Sequence, residues 1–360
     1  MDGRAFLSRR EFLVLPCAYP LMAEVSSSDA PENIAFPLEG IQGSVTPLEL
    51  LFVREHFDRP QISLRDWRLH IEGDVAQPLA LRFADLLESP TREVEAVLEC
   101  AGNLAGGSAV SNAVWEGIGI ADLLAQAGLA RNSRAVLLEG SDSGQLLLGS
   151  PRMSYSQILP IEKCLQPESL IAFKLNGRFL PRRNGFPARA VFPGWYGMDS
   201  VKWLKRLTVL GPSDQPSEFV ASGMNKLYNR MVKTPSGEIT LTRLAQIQVR
   251  SAIAWPLENA RLPAGQQAVR GFAWTGTGRI HDVSFTADGG RTWAEGQLEA
   301  QPRPFTWVRW TYQWTSTPGD HVLMSRARDD AGNEQPLVRD PERRDAYEQN
   351  ACAPVRCMVR

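Results

Sequence analysis

Ala96-Val-Leu-Glu-Cys-Ala-Gly-Asn103 is the most informative stretch of this 360-residue chain, because an apolar run ends on a single thiol at the start of a glycine loop. The run predicts a strand, and the Gly and Asn after it predict a turn. The sequence has no His-x-x-x-His or Cys-x-x-Cys arrangement, so Cys100 is not part of a zinc set. One soft thiolate is still enough for a metal when a large organic cofactor supplies the remaining sulfur ligands. A buried structural cysteine is the alternative.

A second segment, residues 175–207, is dense in Gly and Pro between short apolar runs, which is typical of loops and turns. Glycines in such a segment let backbone amides approach a ligand. Arg189 and Lys202 within it suit a phosphate, Arg as a planar fork and Lys as a point charge. The segment therefore indicates a site for a phosphorylated ligand.

Together the two segments closely resemble the molybdopterin domain of the sulfite oxidase family. The shared features are the Cys-Ala-Gly-Asn loop and the block Gly185-Phe-Pro-x-Arg, Pro-Gly and Val201-Lys-Trp-Leu. The resemblance begins at Leu51-Phe-Val-Arg-Glu-His56 and continues to the end of the chain. It implies an oxidoreductase with a molybdenum–molybdopterin cofactor.

Composition agrees with such an enzyme. Hydrophobic residues make up 43% and charged residues 22% of the chain, which is ordinary for a globular protein. The length suggests two domains. A net charge of -1 and the lack of a basic tail give no argument for nucleic acid binding. No apolar stretch reaches the roughly 20 residues that a membrane-spanning helix needs.

The first 25 residues have the pattern of a targeting segment. Ser8-Arg-Arg-Glu-Phe-Leu13 and the short apolar run to Ala23 form a twin-arginine signal, which predicts export of the folded protein to the periplasm. A surface helix with two arginines is the alternative. Residues 26–43 are polar and contain proline, so we interpret them as a linker.

Residues 44–234 are expected to form an α+β molybdopterin domain. Residues 67–73 and 93–100 alternate as strands, whereas residues 83–87 and 118–128 read as helices, the second ended by glycine. Strands and helices mix without the regular alternation of a doubly wound sheet.

Residues 235–360 are expected to form a β-sandwich, because short alternating segments are separated by turns such as Asp288-Gly-Gly. The segments are 239–242, 245–251, 268–274, 280–286, 306–314 and 321–329. The family resemblance implies that this is an immunoglobulin-like domain through which the protein forms a homodimer. Cys352 and Cys357 lie five apart, on opposite faces of a strand, so they are not expected to pair with each other.

The resemblance also implies individual roles. Cys100 matches the molybdenum ligand, and Arg54 matches the arginine that holds the substrate oxyanion beside the metal. Tyr228 is our choice for the active-site tyrosine, with an ordinary loop tyrosine as the alternative. The residues expected to bind the cofactor are Phe52, Val53, Arg54, His56, Cys100, Asp142, Asn184, Arg189, Ser200, Val201 and Lys202.

Two departures from the animal enzymes bear on the substrate. Their loop continues with two arginines, whereas this chain has Leu104 and Ala105, which removes positive charge near the anion pocket. Their histidine before Gly-Phe-Pro is Asn184 here, which can hydrogen-bond but cannot carry charge.

The predicted function is oxidation of sulfite to sulfate. The chain has no Cys-x-x-Cys-His haem motif, so the electrons are expected to leave to a separate carrier such as a c-type cytochrome. A reductase or dehydrogenase acting on another S- or N-oxide is the enzymatic alternative. A dimeric β-sandwich binding protein without catalysis is the alternative of a different class.

Overall fold

The computed structural model describes residues 29–214, 224, 227–233, 236–341, 343 and 345–360. The predicted twin-arginine segment and residues 26–28 of the predicted linker lie outside these ranges. None of the helices in these ranges is long and apolar enough to cross a membrane. Regular structure in the described residues is mostly β.

The first domain consists of short strands with three short α-helices among its described residues. Its strands are β1 (Asn33–Ile34), β2 (Val53–Arg54), β3 (Leu69–Gly73), β4 (Leu79–Leu81), β5 (Arg92–Glu99), β6 (Val110–Gly119), β7 (Ala135–Gly144), β8 (Met153–Pro160), β9 (Leu170–Leu175), β10 (Arg178–Phe179), β11 (Arg189–Val191) and β12 (Leu204–Leu210). The helices are α1 (Phe83–Glu88), α2 (Ile120–Gln126) and α3 (Ile161–Cys164), and single 3-10 turns occupy Leu38–Gly40, Leu48–Leu50 and Arg182–Asn184.

Most strands of this domain belong to two five-stranded sheets. One has the order β10-β9-β6-β5, with β11 paired to β9, and the other has the order β4-β3-β12-β7-β8. Strand β12 runs parallel to β3 and antiparallel to β7. Because β5 ends at Glu99, Cys100 is the first residue beyond the carboxyl end of its strand.

Helix α2 begins later than the sequence predicted. Ile118 continues β6 and pairs with Ile171 of β9, and a Cβ atom on the neighbouring Gly117 would lie 2.1 Å from the Ile171 carbonyl oxygen. The close approach of two strands therefore needs glycine there. The helix then ends before Gly128, which has the positive φ of a helix C-terminus.

The second domain contains two further sheets, and β13 (Asn229–Lys233) and β14 (Ile239–Arg243) form a hairpin before it. The remaining strands are β15 (Arg250–Trp255), β16 (Ala260–Leu262), β17 (Gly265–Trp274), β18 (Ile280–Thr286), β19 (Ala294–Glu295), β20 (Gln297–Leu298), β21 (Val308–Ser316), β22 (Gly319–Asp329) and β23 (Val355–Val359). Their orders are β15-β17-β21-β20 and β16-β23-β22-β18-β19. Residues of both sheets, including Val269, Trp310 and Leu323, share one apolar cluster.

The two domains are joined by a common apolar cluster. Phe272, Trp274 and Trp307 of the second domain pack in the same buried cluster as Phe192 and Tyr196 of the first. The strand predicted at 245–251 begins later, as β15 at Arg250, and continues to Trp255. Residues 245–249 precede β15 and contact the first domain: the Ile247 amide donates to the Gly194 carbonyl oxygen at 2.9 Å.

Candidate active site

A cavity opens where β2, the end of β5 and the segment 182–203 meet. It encloses about 850 Å³ of empty space, part of it open to solvent, which is ample for an organic cofactor. The predicted site residues that line it are Phe52, Val53, Arg54, His56, Cys100, Asp142, Asn184, Arg189, Ser200, Lys202 and Tyr228. Val201 does not line it: its side chain is buried in the main apolar cluster.

Cys100 is held by its backbone at the mouth of the loop. Its amide donates to the Ala109 carbonyl oxygen at 2.9 Å, and its carbonyl oxygen accepts from the Asn103 amide at 2.8 Å. Burial raises the pKa of the thiol, while the Gly102 amide and the charge of Arg54 lower it. The free thiol is therefore protonated at neutral pH, and a bound metal ion would displace that proton.

Arg189 is a buried cation without an anionic partner among the described residues. Its guanidinium donates to the carbonyl oxygens of Asn184 at 3.1 Å and Ser200 at 2.8 Å and lies 4.9 Å from the centroid of Trp115. Burial lowers its pKa to about 9. A buried charge of this kind is stabilised by an anion, so this corner of the cavity suits a phosphate.

Lys202 reaches the same corner but belongs to an ion-pair network. Its Nζ lies 3.0 Å from Glu55 Oε1 and donates to the Arg183 carbonyl oxygen at 2.9 Å. Glu55 is buried and also accepts from Arg59 Nε at 3.0 Å. Burial lowers the pKa of Lys202 to about 8, although the negative charge of Glu55 raises it. Lys202 is therefore oriented by Glu55, a residue that the sequence did not single out.

Three buried polar atoms near the cavity have no hydrogen-bond partner among the described residues. They are Asp142 Oδ1, Asn184 Oδ1 and Trp115 Nε1. Burial raises the pKa of Asp142 to about 7, although Lys202 lowers it. Two unsatisfied acceptors and one donor match the amino, N–H and carbonyl groups of a pterin, whose binding would offset their desolvation. The residues present therefore fit molybdopterin.

His56 and Tyr228 form a neutral pair that also lines the cavity. The Tyr228 hydroxyl lies 2.9 Å from His56 Nε2, and the Tyr155 ring lies 5.5 Å from the His56 ring. Burial and the positive charges of Arg54 and Lys202 lower the pKa of His56 to about 4. The imidazole is therefore uncharged at neutral pH, and the pair can orient a ligand by hydrogen bonding without adding charge.

Two features bear on the charge around the cavity: Arg54, which lines it, and residues 104–105, which follow the Cys100 loop in sequence. Arg54 is exposed, and its charge acts on both Cys100 and His56. Leu104 and Ala105, which replace the arginines of the animal enzymes, are also exposed, and Leu104 is 57% so. Arg54 is thus an exposed cation that lines the cavity.

Tyr347 from the second domain lies beside the Cys100 loop and Tyr228, and no motif in the sequence predicted this position. A Cβ atom on Gly102 would lie 3.9 Å from Cys100 Sγ and 4.0 Å from Tyr347 Cδ1, so the thiol and the ring flank the same glycine. The neighbouring Glu348 amide donates to the Ala101 carbonyl oxygen at 3.0 Å. An aromatic residue shortly before the last strand was the only signal available in the sequence.

The buried cation, the unsatisfied acceptors and the lone thiol define the class of a molybdopterin-dependent oxidoreductase. Family models agree: residues 56–218 match an oxidoreductase molybdopterin-binding domain and residues 242–341 match a Mo-co oxidoreductase dimerisation domain. The match to an oxidoreductase domain excludes the alternative of a non-catalytic β-sandwich binding protein.

Similar proteins identify the family. Sulfite oxidase of Gallus gallus is 32% identical over 338 residues, which cover 86% of this chain and 72% of that protein. Mitochondrial sulfite oxidase of Mus musculus is 31% identical over 86% of this chain and 61% of its own length. The chain belongs to the sulfite oxidase family. It spans about six-tenths of the length of its mammalian relatives.

Two more distant similarities extend the comparison. The crystal structure of the sulfane dehydrogenase SoxCD from Paracoccus pantotrophus superposes with a TM-score of 0.79 at 26% identity, covering 98% of this chain and 92% of that chain. Inducible NADH nitrate reductase 2 of Glycine max is 28% identical over 82% of this chain and 37% of its own length. The protein is a molybdenum-dependent oxidoreductase with a molybdopterin cofactor.

Proposed function

We propose that the protein oxidises a small sulfur oxyanion, with sulfite as the first candidate. The reaction converts sulfite and water to sulfate, two protons and two electrons. When bound, the molybdenum centre supplies oxygen-atom transfer and accepts the two electrons. The observation that carries the proposal is the exposed cation Arg54 acting on Cys100 at the entrance of the cavity.

In this proposal the chain supplies binding and orientation. Arg54 attracts the oxyanion and holds it beside the Cys100 thiolate, which serves as the metal ligand. His56 and Tyr228, which share a hydrogen bond of 2.9 Å, orient the substrate as neutral groups and so add no positive charge that would retain the anionic product. Asp142, Asn184 and Trp115 bind the pterin, whereas Arg189 and Lys202 bind its phosphate.

We further propose where and with what partners the enzyme works. The twin-arginine pattern in the first 25 residues supports export to the periplasm. The match of residues 242–341 to a dimerisation domain supports a homodimer formed through an immunoglobulin-like β-sandwich. A c-type cytochrome is the proposed acceptor, since the chain carries no Cys-x-x-Cys-His haem motif of its own.

A second group of substrates follows from the neutral side of the entrance. Leu104 and Ala105 remove charge where the animal enzymes carry arginines, and a sulfane dehydrogenase and a nitrate reductase are both similar to this chain. A sulfane sulfur would be oxidised, whereas an S- or N-oxide would be reduced.

One substrate panel separates these functions. Purified enzyme is assayed with sulfite or thiosulfate and oxidised cytochrome c, and with nitrate or a sulfoxide and reduced viologen dye. We expect cytochrome reduction that depends on sulfite. Viologen oxidation by nitrate or sulfoxide, without turnover of sulfite, would replace the proposed reaction by a reduction.

A further inference from the structure

A buried ion pair links the second domain to the residue that precedes the proposed metal ligand. Glu99 is fully buried, and its Oε1 lies 2.9 Å from Arg250 Nη1 and 3.0 Å from Asn103 Nδ2. Its Oε2 accepts from Trp274 Nε1 at 2.8 Å. Both carboxylate oxygens are therefore used within a few ångströms of Cys100.

Arg250 holds the other end of the same loop. It begins β15 in the second domain, is 1% exposed, and its Nη1 also donates to the Leu104 carbonyl oxygen at 3.0 Å. One guanidinium thus contacts residues 99 and 104, on both sides of Cys100. Its Nε has no hydrogen-bond partner among the described residues. The carboxylate of Glu99 is the anion that offsets the buried charge of Arg250.

We propose that Glu99 and Arg250 are positioning residues for the Cys100 thiolate. This rests on the proposed role of Cys100 as metal ligand. The Asn103 side chain, fixed by Glu99, accepts from the Ala109 amide at 3.0 Å, while the Asn103 amide donates to the Cys100 carbonyl oxygen. In this proposal the direction of the thiolate depends on a contact with Arg250 of the second domain.

The physical basis is the cost of breaking a buried pair. Removing either partner leaves a buried charge uncompensated, whereas replacing both by neutral groups of similar shape removes that penalty. Groups that orient a metal ligand commonly change metal affinity or activity by about 10- to 100-fold when mutated. We expect Arg250→Gln and Glu99→Gln each to lower the molybdenum content and to shift the Mo(V) resonance of the fraction that still holds the metal.

The double variant Glu99→Gln/Arg250→Gln tests the pairing itself. Two neutral amides can still hydrogen-bond across the same gap, so molybdenum content should recover relative to either single variant. The control is Lys174→Gln, which breaks the 2.8 Å pair with Glu116 between β6 and β9 and should leave the resonance unchanged. Where a single variant fails to fold, the double variant decides: its spectrum should still differ from that of the wild type, because an amide at position 99 cannot reproduce both carboxylate contacts, to Asn103 and to Trp274.

The experiment measures molybdenum per protomer and electron paramagnetic resonance spectra per molybdenum in the purified full-length enzyme. A wild-type spectrum in Arg250→Gln, in Glu99→Gln and in the double variant would mean that the pair only stabilises the domain junction, which overturns the inference. Cys100→Ser is measured in parallel. An unchanged spectrum in Cys100→Ser would show that the ligand assignment, and not the pair, is at fault, and the inference would end with it.

Discussion

Tyr347 of the second domain packs on Tyr228 with ring centroids 5.7 Å apart and an interplanar angle of 44°. Tyr228 in turn hydrogen-bonds His56, so aromatic groups from both domains form one wall of the entrance. The backbone amide of Tyr347 donates to Asp345 Oδ1 at 3.0 Å, and Arg343 donates to its carbonyl oxygen at 3.2 Å. The Tyr228 ring, which lines the cavity, is therefore supported by a segment of the second domain.

Replacing Tyr347 should alter substrate binding more than the chemical step. Tyr347→Ala removes the ring that covers Tyr228 and opens the entrance to water, so we expect KM for sulfite to rise about tenfold, equivalent to about 1.4 kcal/mol, with a smaller change in kcat. Steady-state kinetics with cytochrome c measure it. Tyr312→Ala, which loses a ring stacked on Phe285 within the sandwich, is the control for general destabilisation. Equal effects of both variants would contradict a role at the entrance.

Cys100→Ser tests the metal ligand. An alkoxide is a harder ligand than a thiolate and differently tunes a metal already bound by dithiolene sulfur, so we expect folded protein that retains pterin but loses turnover. Circular dichroism, pterin fluorescence after denaturation and activity assays give the three readouts. Cys164→Ser, at a buried free thiol outside the cavity lining, is the matched control. Wild-type turnover in Cys100→Ser would remove Cys100 from the site.

Arg189→Ala should lower cofactor occupancy. The variant removes the buried cation that we assign to the phosphate, and charge-assisted hydrogen bonds contribute about 1.5–3 kcal/mol each. Molybdenum and pterin are quantified after gel filtration at low protein concentration. Arg189→Lys keeps the charge and should lose less, whereas Arg178→Ala, on an exposed strand, should lose nothing. Full occupancy in Arg189→Ala would place the phosphate elsewhere.

The sequence predicted the parts of the site that lie in local motifs. Cys100, Asn184 and Arg189 line the cavity, Cys100 because it directly follows β5, and Asn184 and Arg189 because one Gly- and Pro-rich segment carries both. Val201 was placed there too, but Ser200 and Lys202 line the cavity while Val201 between them faces the apolar core. A motif identifies a segment, whereas the local course of the backbone decides which of its side chains face the cavity.

Contacts between distant segments were not predictable. Glu55 orients Lys202 across 147 positions of sequence, and no local pattern distinguishes it from any surface glutamate. Tyr347 reaches the entrance only because the domains share a core. The expected α+β character is present only in part, because the helical patterns end after one or two turns and strands supply most of the packing.

The pH dependence of the cofactor-free protein should reveal Asp142. Its pKa is raised to about 7 by burial, above the ordinary 3.8, so the folded state binds its proton more tightly than the unfolded state. Stability from this group is present below pH 3.8 and is lost as pH rises towards 7. At pH 8, Asp142→Asn should therefore raise the free energy of unfolding by on the order of 4 kcal/mol, from about 1.4 kcal/mol per pKa unit.

Urea unfolding of cofactor-free wild type and Asp142→Asn at pH 5 and pH 8 measures this effect. The difference between the two proteins should be larger at pH 8. His56 has the opposite effect: because its pKa is lowered to about 4, the folded state loses stability as the pH falls below 6.5. Both proteins contain His56, so its contribution cancels in the difference between them. A difference that does not change with pH would show that Asp142 is charged or paired in the cofactor-free state.

Arg54→Gln tests whether charge selects the substrate. Gln can hydrogen-bond but cannot offset an anion, so KM for sulfite should rise at least about tenfold, whereas KM for a neutral sulfoxide should change little. Because Leu104 and Ala105 add no charge at the entrance, sulfite binding by the wild type should also depend only modestly on ionic strength, and Arg54→Gln should abolish that dependence. Kinetics with both substrates at two salt concentrations measure this, with the exposed Arg131→Gln as the control. If Arg54→Gln weakens both substrates equally, Arg54 serves the cofactor or the fold and the anion is bound elsewhere.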